Sequence, residues 1–464
     1  MLFAQIQEQI QRQREFFYTG KTKTLAYRRK ALKVLFSALI QNESLLLEAL
    51  HKDLGKSAFE GYSCELGIVL HEIKTCLRYL ERWSRPEKKR TGFLNFPAQG
   101  RVYYEPYGVV LILAPWNYPL NLCLMPLAGA IAAGNCVVLK TSELAPHTSS
   151  CIAGILRKSF SPDFIQVIEG RAGISRQLLK IKFDYIFFTG SPETGKKVMR
   201  AASDFLTPVT LELGGKSPCL VADDCSIKIA AKRIIWGKLL NAGQTCVAPD
   251  YILVSEQRKD LLVQALVQTI QEFWGENPLQ NPGYPHIIDK AHFQRLSRLI
   301  EQQCGKKVWG GESDIKSLKI NPVILEDISG EDELMQKEIF GPVLPVLTYS
   351  SMDEVIARLQ QQEKPLAFYL LTTDKLLQKR ILRGLSFGGG CINDTVMHLT
   401  GEFPFGGVGN SGIGNYHGKY SFLTFSHEKA VLKKSTRMIW DIPLRYPPYR
   451  DSYWFQKWMK RFFQ

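Results

Sequence analysis

The chain has 464 residues, of which 45% are hydrophobic and 22% are charged, and its formal net charge is +15. These values are ordinary for a globular protein of two or three domains, and they exclude a disordered, fibrous or disulfide-dense chain. The charge lies mostly at the ends: residues 1–90 carry +7, residues 431–464 carry +6, and residues 91–430 carry only +2. A nucleic-acid enzyme more often lines a central cleft with positive charge, so no nucleic-acid partner is expected.

Ten cysteines are scattered along the chain without a CxxC pair or a Cys/His cluster of zinc spacing, so no metal site is predicted. The first residues contain no uninterrupted apolar stretch of the kind found in a secretory signal. Free thiols and the lack of a signal favour a reducing, cytoplasmic location.

In chain order, residues 1–82 have apolar residues at three- and four-residue spacing, which predicts helices. Residues 84–100 are polar and rich in proline and glycine, which indicates a connection, and residues 101–115 predict two strands. Short apolar runs then alternate with amphipathic helices, which favours parallel α/β sheets. A second series of this kind runs from residue 251 to 373, and the glycine-dense stretch 388–418 predicts loops.

Cys246 lies in NAGQTCVAPD, between small and turn-forming residues. A free cysteine is most often a buried structural side chain. A loop of this composition also holds a thiol at a cleft, where backbone N–H groups bind an anion. The residues alone leave both interpretations open.

Glu212 and Asn117 are polar residues in apolar or restricted surroundings. Glu212 ends an apolar run before Gly-Gly, where it is either satisfied by loop amides or acts as a general base whose pKa is raised by burial. Asn117 stands between Pro115 and Pro119, so it is either an Asx-type turn residue or a side-chain donor to an oxyanion.

The segment FFTGSPETGKKV joins an apolar run to a helical pattern through Gly190, Ser191 and Gly195. This arrangement can present a helix N-terminus to an anion such as a phosphate. It matches neither GxGxxG nor the GxxxxGK[ST] motif, and it also fits a plain strand–turn–helix connection.

Seven motifs together resemble those of the aldehyde dehydrogenase superfamily, in the same order. They are PWNYP, VVLKTSE, FTGSPETGK, LELGGKSP, GQTCVAPD, EIFGPVLPV and PFGGVGNSG. The resemblance covers roughly residues 10–435, and the segment SGIGNYHGKYSFLTFSH is similar to the class-three branch, which includes fatty aldehyde dehydrogenases.

The resemblance implies an α/β fold with two parallel α/β domains, one for the cofactor and one for catalysis, and a small bridging β element for oligomerisation. It also implies a homodimer. The implied boundaries are 1–90 and 108–212 for the NAD-binding domain, 213–400 for the catalytic domain, 91–107 and 410–435 for the bridging element, and 436–464 for a basic aromatic tail.

By the same resemblance, Cys246 is the nucleophile that attacks the aldehyde carbonyl to give a thiohemiacetal. The Asn117 side chain and the Cys246 backbone N–H hold the oxyanion. After hydride has passed to the nicotinamide, Glu212 activates water to hydrolyse the thioester.

The resemblance also implies a dinucleotide site. Its residues are Lys140 and Glu143 at the adenosine ribose, Gly190, Ser191 and Gly195 near the pyrophosphate, Glu338 and Phe340 at the nicotinamide ribose, and the backbone of Trp116. Glu143 should repel a 2′-phosphate and so favour NAD, although members of this branch also accept NADP. Thr141 stands where the family usually has proline, which bears on this cofactor preference.

The implied substrate is an apolar aldehyde, either a medium- or long-chain aliphatic or a polyene. Tyr118 and Phe405 are expected as apolar walls, with simple core packing as the alternative. The last sixteen residues contain seven aromatic and four basic side chains against one acid. They predict either an arm packed on a partner subunit or peripheral contact with an anionic membrane, and they are too short to span one.

Three other functions compete with this interpretation. The first is a cysteine-dependent hydrolase or acyl transferase without redox chemistry. The lack of a convincing histidine motif disfavours it. The second is acyl transfer to coenzyme A, which Glu212 at the water-activating position disfavours. The third, a nucleic-acid-binding protein, is disfavoured by the nearly neutral centre of the chain.

Overall fold

The computed structural model describes residues 2–92, 95–400, 403–441, 446–447 and 453–463. The chain forms two compact units, one made of Met1–Trp83 and Glu105–His427, the other of Ser84–Tyr104 and Glu428–Gln464. The first unit holds two large sheets, and the second is built around a small sheet.

The helices within the described residues are α1 (Leu2–Tyr18), α2 (Leu25–Gln41), α3 (Glu43–Leu54), α4 (Ala58–Gly61), α5 (Gly67–Ser84), α6 (Asn121–Ala133), α7 (Pro146–Ser159), α8 (Ala172–Leu178), α9 (Pro192–Ser203), α10 (Ile227–Leu239), α11 (Lys259–Trp274), α12 (Lys290–Gln302), α13 (Glu333–Gln336), α14 (Met352–Gln361), α15 (Lys375–Gly384), α16 (Lys419–Thr424) and α17 (Tyr453–Phe463). Of these, none is both long enough and apolar enough to cross a bilayer.

The strands are β1 (Glu87–Lys89), β2 (Ala98–Pro106), β3 (Val109–Leu113), β4 (Cys136–Lys140), β5 (Ile165–Ile168), β6 (Tyr185–Thr189), β7 (Val209–Glu212), β8 (Pro218–Val221), β9 (Tyr251–Ser255), β10 (Lys306–Trp309), β11 (Ser313–Asp314), β12 (Lys319–Ile320), β13 (Val323–Glu326), β14 (Val343–Tyr349), β15 (Ala367–Leu371), β16 (Gly389–Ile392), β17 (Gly412–Ile413) and β18 (Ser426–Lys434).

The first large sheet has six strands in the order β17-β7-β6-β3-β4-β5. The five strands between residues 109 and 212 run parallel, whereas β17 pairs antiparallel with β7. Apolar runs such as CVVLK are buried along their whole length, as expected for a parallel sheet that is covered on both faces. The parallel arrangement predicted from the alternating runs is confirmed.

The second large sheet has seven strands in the order β10-β13-β14-β9-β8-β15-β16. Its strands come from residues 218–392 and are parallel except for the edge pair β10–β13. Apolar residues from these strands and from α12, α14 and α15 form one buried cluster that includes Leu220, Leu253, Leu296, Val355 and Ile381.

Two stretches contain more regular structure than the sequence indicated. The predicted connection 84–100 includes β1, which pairs with β2. The glycine-dense stretch 388–418 includes β16, which pairs parallel with β15, and β17. Both expectations were wrong in these places because backbone pairing, not side-chain pattern, forms strands made of charged residues or glycine.

The predicted bridging segments fall on different elements. Within 410–435, β17 belongs to the six-stranded sheet, whereas β18 belongs with β1 and β2 to a three-stranded sheet in the order β1-β2-β18. The subunit-bridging role of 91–107 and 410–435, like the boundaries of the two α/β domains, stays a prediction.

Candidate active site

A cavity of about 810 Å³ opens at the carboxyl ends of the parallel strands β3, β6 and β7. This edge is where ligands bind in open α/β sheets. Eight of the predicted site residues line the cavity: Trp116, Asn117, Gly190, Ser191, Glu212, Cys246, Glu338 and Phe340. Residues up to 224 positions apart in the chain are thereby brought to one place.

Cys246 lies in a tight loop that follows α10, and the residue as a whole is partly exposed. In the same loop, Asn241 and Ala242 both have positive φ angles of 52°. Gly243 also has a positive φ, and a Cβ there would lie 2.3 Å from the carbonyl oxygen of Gly341. The loop can therefore approach the backbone at Gly341 this closely only with glycine at position 243.

The pKa of the Cys246 thiol is raised, chiefly because burial disfavours the thiolate, and further because of the charges of Glu338 and Glu212. The Cys246 thiol and the two carboxylates are thus electrostatically coupled. A negative charge on any one of them makes a second one less favourable.

Glu212 ends β7 and is only 2% exposed. Neither of its carboxylate oxygens has a hydrogen-bond partner within the described residues. Burial raises the pKa of this carboxyl well above its usual value of 4.5. The amides of the following Gly-Gly therefore do not satisfy the carboxylate, and it is available as a proton acceptor facing the cavity.

Asn117 is buried and is held at both its side chain and its carbonyl. Its Nδ2 donates to the carbonyl oxygen of Gln244 at 3.1 Å. Its own carbonyl oxygen accepts hydrogen bonds from Lys56 Nζ at 3.0 Å and from Asn241 Nδ2 at 2.8 Å. The side chain therefore bonds to the loop that contains Cys246 rather than forming a local Asx turn.

Ser191 caps the N-terminus of α9, accepting a hydrogen bond from the backbone N–H of Thr194 at 3.3 Å. Gly195 lies one turn into the helix, where a Cβ would lie 2.6 Å from a methyl group of Leu213. Gly195 is outside the lining of the cavity, and its role is to let α9 approach the strand that carries Glu212.

Lys140 is the last residue of β4 and Glu143 follows it, and both lie outside the lining of the cavity. The ammonium of Lys140 donates to Glu143 Oε2 at 3.2 Å and to the carbonyl oxygen of Thr141 at 2.6 Å. The structure therefore brings these two predicted cofactor residues together as an ion pair, next to the Thr141 turn.

Glu338 and Phe340 reach the cavity from the loop after α13. Burial and the charge of Asp250 raise the pKa of Glu338 well above its usual value. A Cβ on Gly214 would lie 2.0 Å from Glu338 Oε2, so only glycine leaves room for this carboxylate. The ring of Phe340 packs edge-on against Trp116, with centroids 5.4 Å apart.

Tyr118 and Phe405, the predicted substrate walls, are buried but do not line this cavity. The Tyr118 hydroxyl is 2.8 Å from Thr245 Oγ1, next to the nucleophile. Phe405 stacks on His417 with ring centroids 5.1 Å apart. The contacts described for both rings are packing contacts, and contact with substrate stays a prediction.

Sequence reasoning missed two lysines near the site. Lys216 bonds to Asp250 and donates to the carbonyl oxygens of Leu334 and Lys337, which fixes the segment before Glu338. Its position directly after Gly214 and Gly215 is a usable signal. Lys56 lies between α3 and α4 in a polar part of the sequence, where a lysine is normally expected to face solvent.

The cavity fits a dinucleotide. Its floor holds a capped N-terminus of the twelve-residue helix α9, which suits a phosphate. Gly214 leaves room for the Glu338 carboxylate at the cavity, and the hydroxyl of Thr189, which also lines the cavity, has no partner within the described residues. These features define an α/β enzyme with a cysteine, an unpaired carboxylate and a dinucleotide-sized cavity at one strand edge.

Comparisons with known proteins agree with this class. The model of the "Aldehyde dehydrogenase family" matches residues 3–431. The chain is 46% identical to "4,4'-diaponeurosporen-aldehyde dehydrogenase" of Staphylococcus aureus over 460 residues, 99% of each chain. It is 47% identical to "Aldehyde dehydrogenase family 3 member B1" of Bos taurus, over 95% of this chain and 94% of that one.

Among solved structures, the substrate-bound state of Staphylococcus aureus AldH superposes with a TM-score of 0.95, at 46% identity and 99% coverage of both chains. The chain belongs to the aldehyde dehydrogenase family, and it is an oxidoreductase that acts on aldehydes. The resemblance to the class-three branch and the predicted fold class are confirmed.

Proposed function

We propose that this enzyme oxidises an apolar aldehyde to the carboxylic acid with NAD(P), through covalent intermediates on Cys246. The observation that carries the proposal is the convergence of Cys246, Glu212 and Asn117 on one cavity that also has the dimensions for a dinucleotide. A nucleophile, a proton acceptor and an amide donor are the three groups that this reaction requires.

In the first step, the Cys246 thiolate attacks the aldehyde carbon and the carbonyl oxygen becomes an oxyanion. Asn117 Nδ2 carries two N–H groups, of which one donates to Gln244. We assign the other, together with the Cys246 backbone N–H, to the oxyanion. Donors that are already fixed before the reaction need no reorganisation when the charge develops.

The second half of the reaction releases the acid. Glu212 accepts a proton from a water molecule, and the resulting hydroxide attacks the thioester carbon so that the C–S bond breaks. Its two unpartnered oxygens and its raised pKa suit a base that has to bind a proton in every cycle. Glu338, which is electrostatically coupled to Cys246, is instead assigned to the nicotinamide ribose.

When bound, a nicotinamide would supply the acceptor for the hydride that leaves the former aldehyde carbon. We assign the pyrophosphate to Gly190 and Ser191 at the start of α9, the nicotinamide ribose to Glu338 and Phe340, and the adenosine ribose to Lys140 and Glu143. Because Glu143 is paired with Lys140 but still carries a carboxylate towards this region, NAD is favoured over NADP.

We propose a medium- or long-chain aliphatic or polyene aldehyde as the substrate. The similarity to an enzyme whose name specifies a polyene aldehyde supports this class. The test is a panel of aldehydes of rising chain length, including polyenes, assayed with NAD and with NADP by absorbance of the reduced cofactor. Catalytic efficiency should rise with apolar length. Ester hydrolysis without any aldehyde-dependent reduction would instead favour the hydrolase alternative.

We further propose that the enzyme is a cytoplasmic homodimer that touches anionic membranes through its tail. All ten cysteines are free, as expected in a reducing compartment. In α17, Tyr453 and Trp454 are 70% and 76% exposed, and Lys457 lies within 6 Å of both rings. Aromatic and basic side chains of this kind suit the headgroup region of a bilayer.

Flotation with vesicles tests this contact. The full chain should float with vesicles that contain anionic lipid and remain unbound with neutral ones, and deletion of residues 449–464 should abolish flotation. Unchanged flotation of the shortened chain would reject the tail as the anchor. Sedimentation of the same two chains tests the alternative that the tail packs on a partner subunit, because the deletion would then convert dimers into monomers.

A further inference from the structure

We infer that Lys56 positions the oxyanion site, acting through Asn117. Lys56 and Glu65 form an ion pair in which both side chains are completely buried, with Nζ and Oε1 2.5 Å apart. This inference rests on the proposed function, because it assigns a partner to the amide that we expect to hold the oxyanion.

The Lys56 ammonium makes three contacts at the site, two hydrogen bonds and one with an aromatic ring. One donates to Glu65, a second donates to the carbonyl oxygen of Asn117 at 3.0 Å, and the ammonium lies 3.9 Å from the centre of the Tyr118 ring. The Tyr118 hydroxyl in turn contacts Thr245, the residue before the nucleophile. One ammonium thus holds the backbone of the oxyanion donor and the ring beside the nucleophile loop.

Glu65 anchors the same region from the other side. Its Oε2 accepts hydrogen bonds from the backbone N–H groups of Leu120 and Asn121 at 2.9 and 3.1 Å. These are the first free N–H groups of α6, the helix that follows Asn117. The ion pair therefore fixes the chain both at Asn117 and at the helix start three residues later.

The neighbouring segment also reaches the nucleophile loop. The carbonyl oxygen of Leu54 accepts a hydrogen bond from the backbone N–H of His286 at 3.0 Å, and the His286 carbonyl accepts one from Gln244 Nε2 at 3.0 Å. Gln244 is the residue whose carbonyl holds the side chain of Asn117. Residues 54–65 consequently support Asn117 in two ways, through its backbone carbonyl and through Gln244, which accepts the hydrogen bond of its side chain.

Energetics favour a positioning role over a purely stabilising one. A buried ion pair gains little stability relative to well-packed apolar side chains of similar volume, since both charges lose their hydration. Fixed geometry, however, is what an oxyanion donor needs, and small displacements of such a group reduce rates by about a hundredfold. The Asn117 carbonyl accepts from Lys56 and from Asn241, and an apolar side chain at position 56 would remove one of these two donors.

The test uses the double variant Lys56→Met/Glu65→Gln, which removes both charges and so leaves no unpaired buried ion. We expect kcat/KM for the aldehyde to fall about 10- to 100-fold. Alkylation of Cys246 by iodoacetamide, followed on its peptide by mass spectrometry, forms no oxyanion and should change by less than about twofold, as should the affinity for the dinucleotide.

The decisive measurement introduces the same double change into Asn117→Ala. If Lys56 acts through Asn117, its removal should then reduce kcat/KM by less than about threefold, because the coupled effects do not add. A full additional loss in the Asn117→Ala background would overturn the inference. An unchanged kcat/KM of the double variant, or an equal loss of alkylation and of dinucleotide binding, would also overturn it.

Arg28→Met is the matched control, since Arg28 is another buried cation that donates to backbone carbonyls, those of Thr22, Lys23 and Ala132. It should lower the melting temperature and leave kcat/KM within about twofold of the wild type. A wild-type enzyme without aldehyde oxidation would overturn the proposed function as well. An active wild type whose Lys56 variant keeps its activity would overturn only the role of Lys56.

Discussion

The backbone N–H of Gly190 donates to the carbonyl oxygen of Glu212 at 3.0 Å. This single bond joins the turn assigned to the pyrophosphate to the residue assigned as the base. It continues the parallel pairing in which Thr189 faces Glu212 on the neighbouring strand. The two halves of the proposed reaction therefore share one sheet edge. A substitution on either strand should change the rates of both halves.

Replacement of Cys246 by alanine removes the proposed nucleophile. We expect aldehyde oxidation to fall by about 10⁴-fold or more, because no covalent intermediate can form. The affinity for the dinucleotide, measured by titration of protein fluorescence, should stay within about threefold, since the phosphate and ribose contacts are elsewhere in the cavity. An active Cys246→Ala enzyme would refute the assignment.

Glu212→Gln removes the proposed base and leaves the volume of the side chain nearly unchanged. A rapid burst of reduced cofactor should persist, followed by turnover that is about 10²- to 10⁴-fold slower, because the thioester accumulates. Stopped-flow absorbance measures both phases. Loss of the burst together with turnover would show that Glu212 acts before hydride transfer.

The same variant should be more stable than the wild type at neutral pH. The folded pKa of Glu212 is raised above 4.5, so below pH 4.5 the carboxyl is protonated in both states and carries no penalty. As pH rises beyond 4.5, the unfolded chain releases its proton first and the folded state loses stability. The melting temperature of Glu212→Gln should exceed that of the wild type by about 1–3 °C at pH 8, with no difference near pH 4.

Gly214→Ala should displace the Glu338 carboxylate, because the new Cβ would lie 2.0 Å from its Oε2. We expect KM for the dinucleotide to rise about tenfold or more. Gly215→Ala is the control, because the nearest atoms to a Cβ there are 3.4 Å away, an ordinary contact distance. If the two changes raised KM for the dinucleotide equally, the clash with Glu338 would not be the cause of the increase.

Glu143→Gln should shift the cofactor preference. The change removes the negative charge opposite Lys140, 3.2 Å away, so the lysine becomes available to a 2′-phosphate. The ratio of kcat/KM for NADP to that for NAD should rise about tenfold. If this ratio did not change, residues other than Glu143 would determine the preference for NAD over NADP.

The sequence was sufficient to predict the residues that meet at the strand edge. Cys246, Glu212 and Asn117 belong to short motifs whose order is specific, and the apolar runs between them have an unambiguous parallel pattern. Lys56 and Glu65 could not be predicted in this way. Their burial depends on contacts with residues 117–121, and lysine and glutamate side chains are normally expected to face water.

The antiparallel pairing of β17 with β7 has a consequence for synthesis of the protein. Gly412 lies opposite Glu212, so β7 is an interior strand only when β17 is in place. During translation, that partner leaves the ribosome after two hundred further residues have been made, and the edge of β7 stays open until then. The nascent chain therefore contains Cys246 well before the sheet around Glu212 is complete.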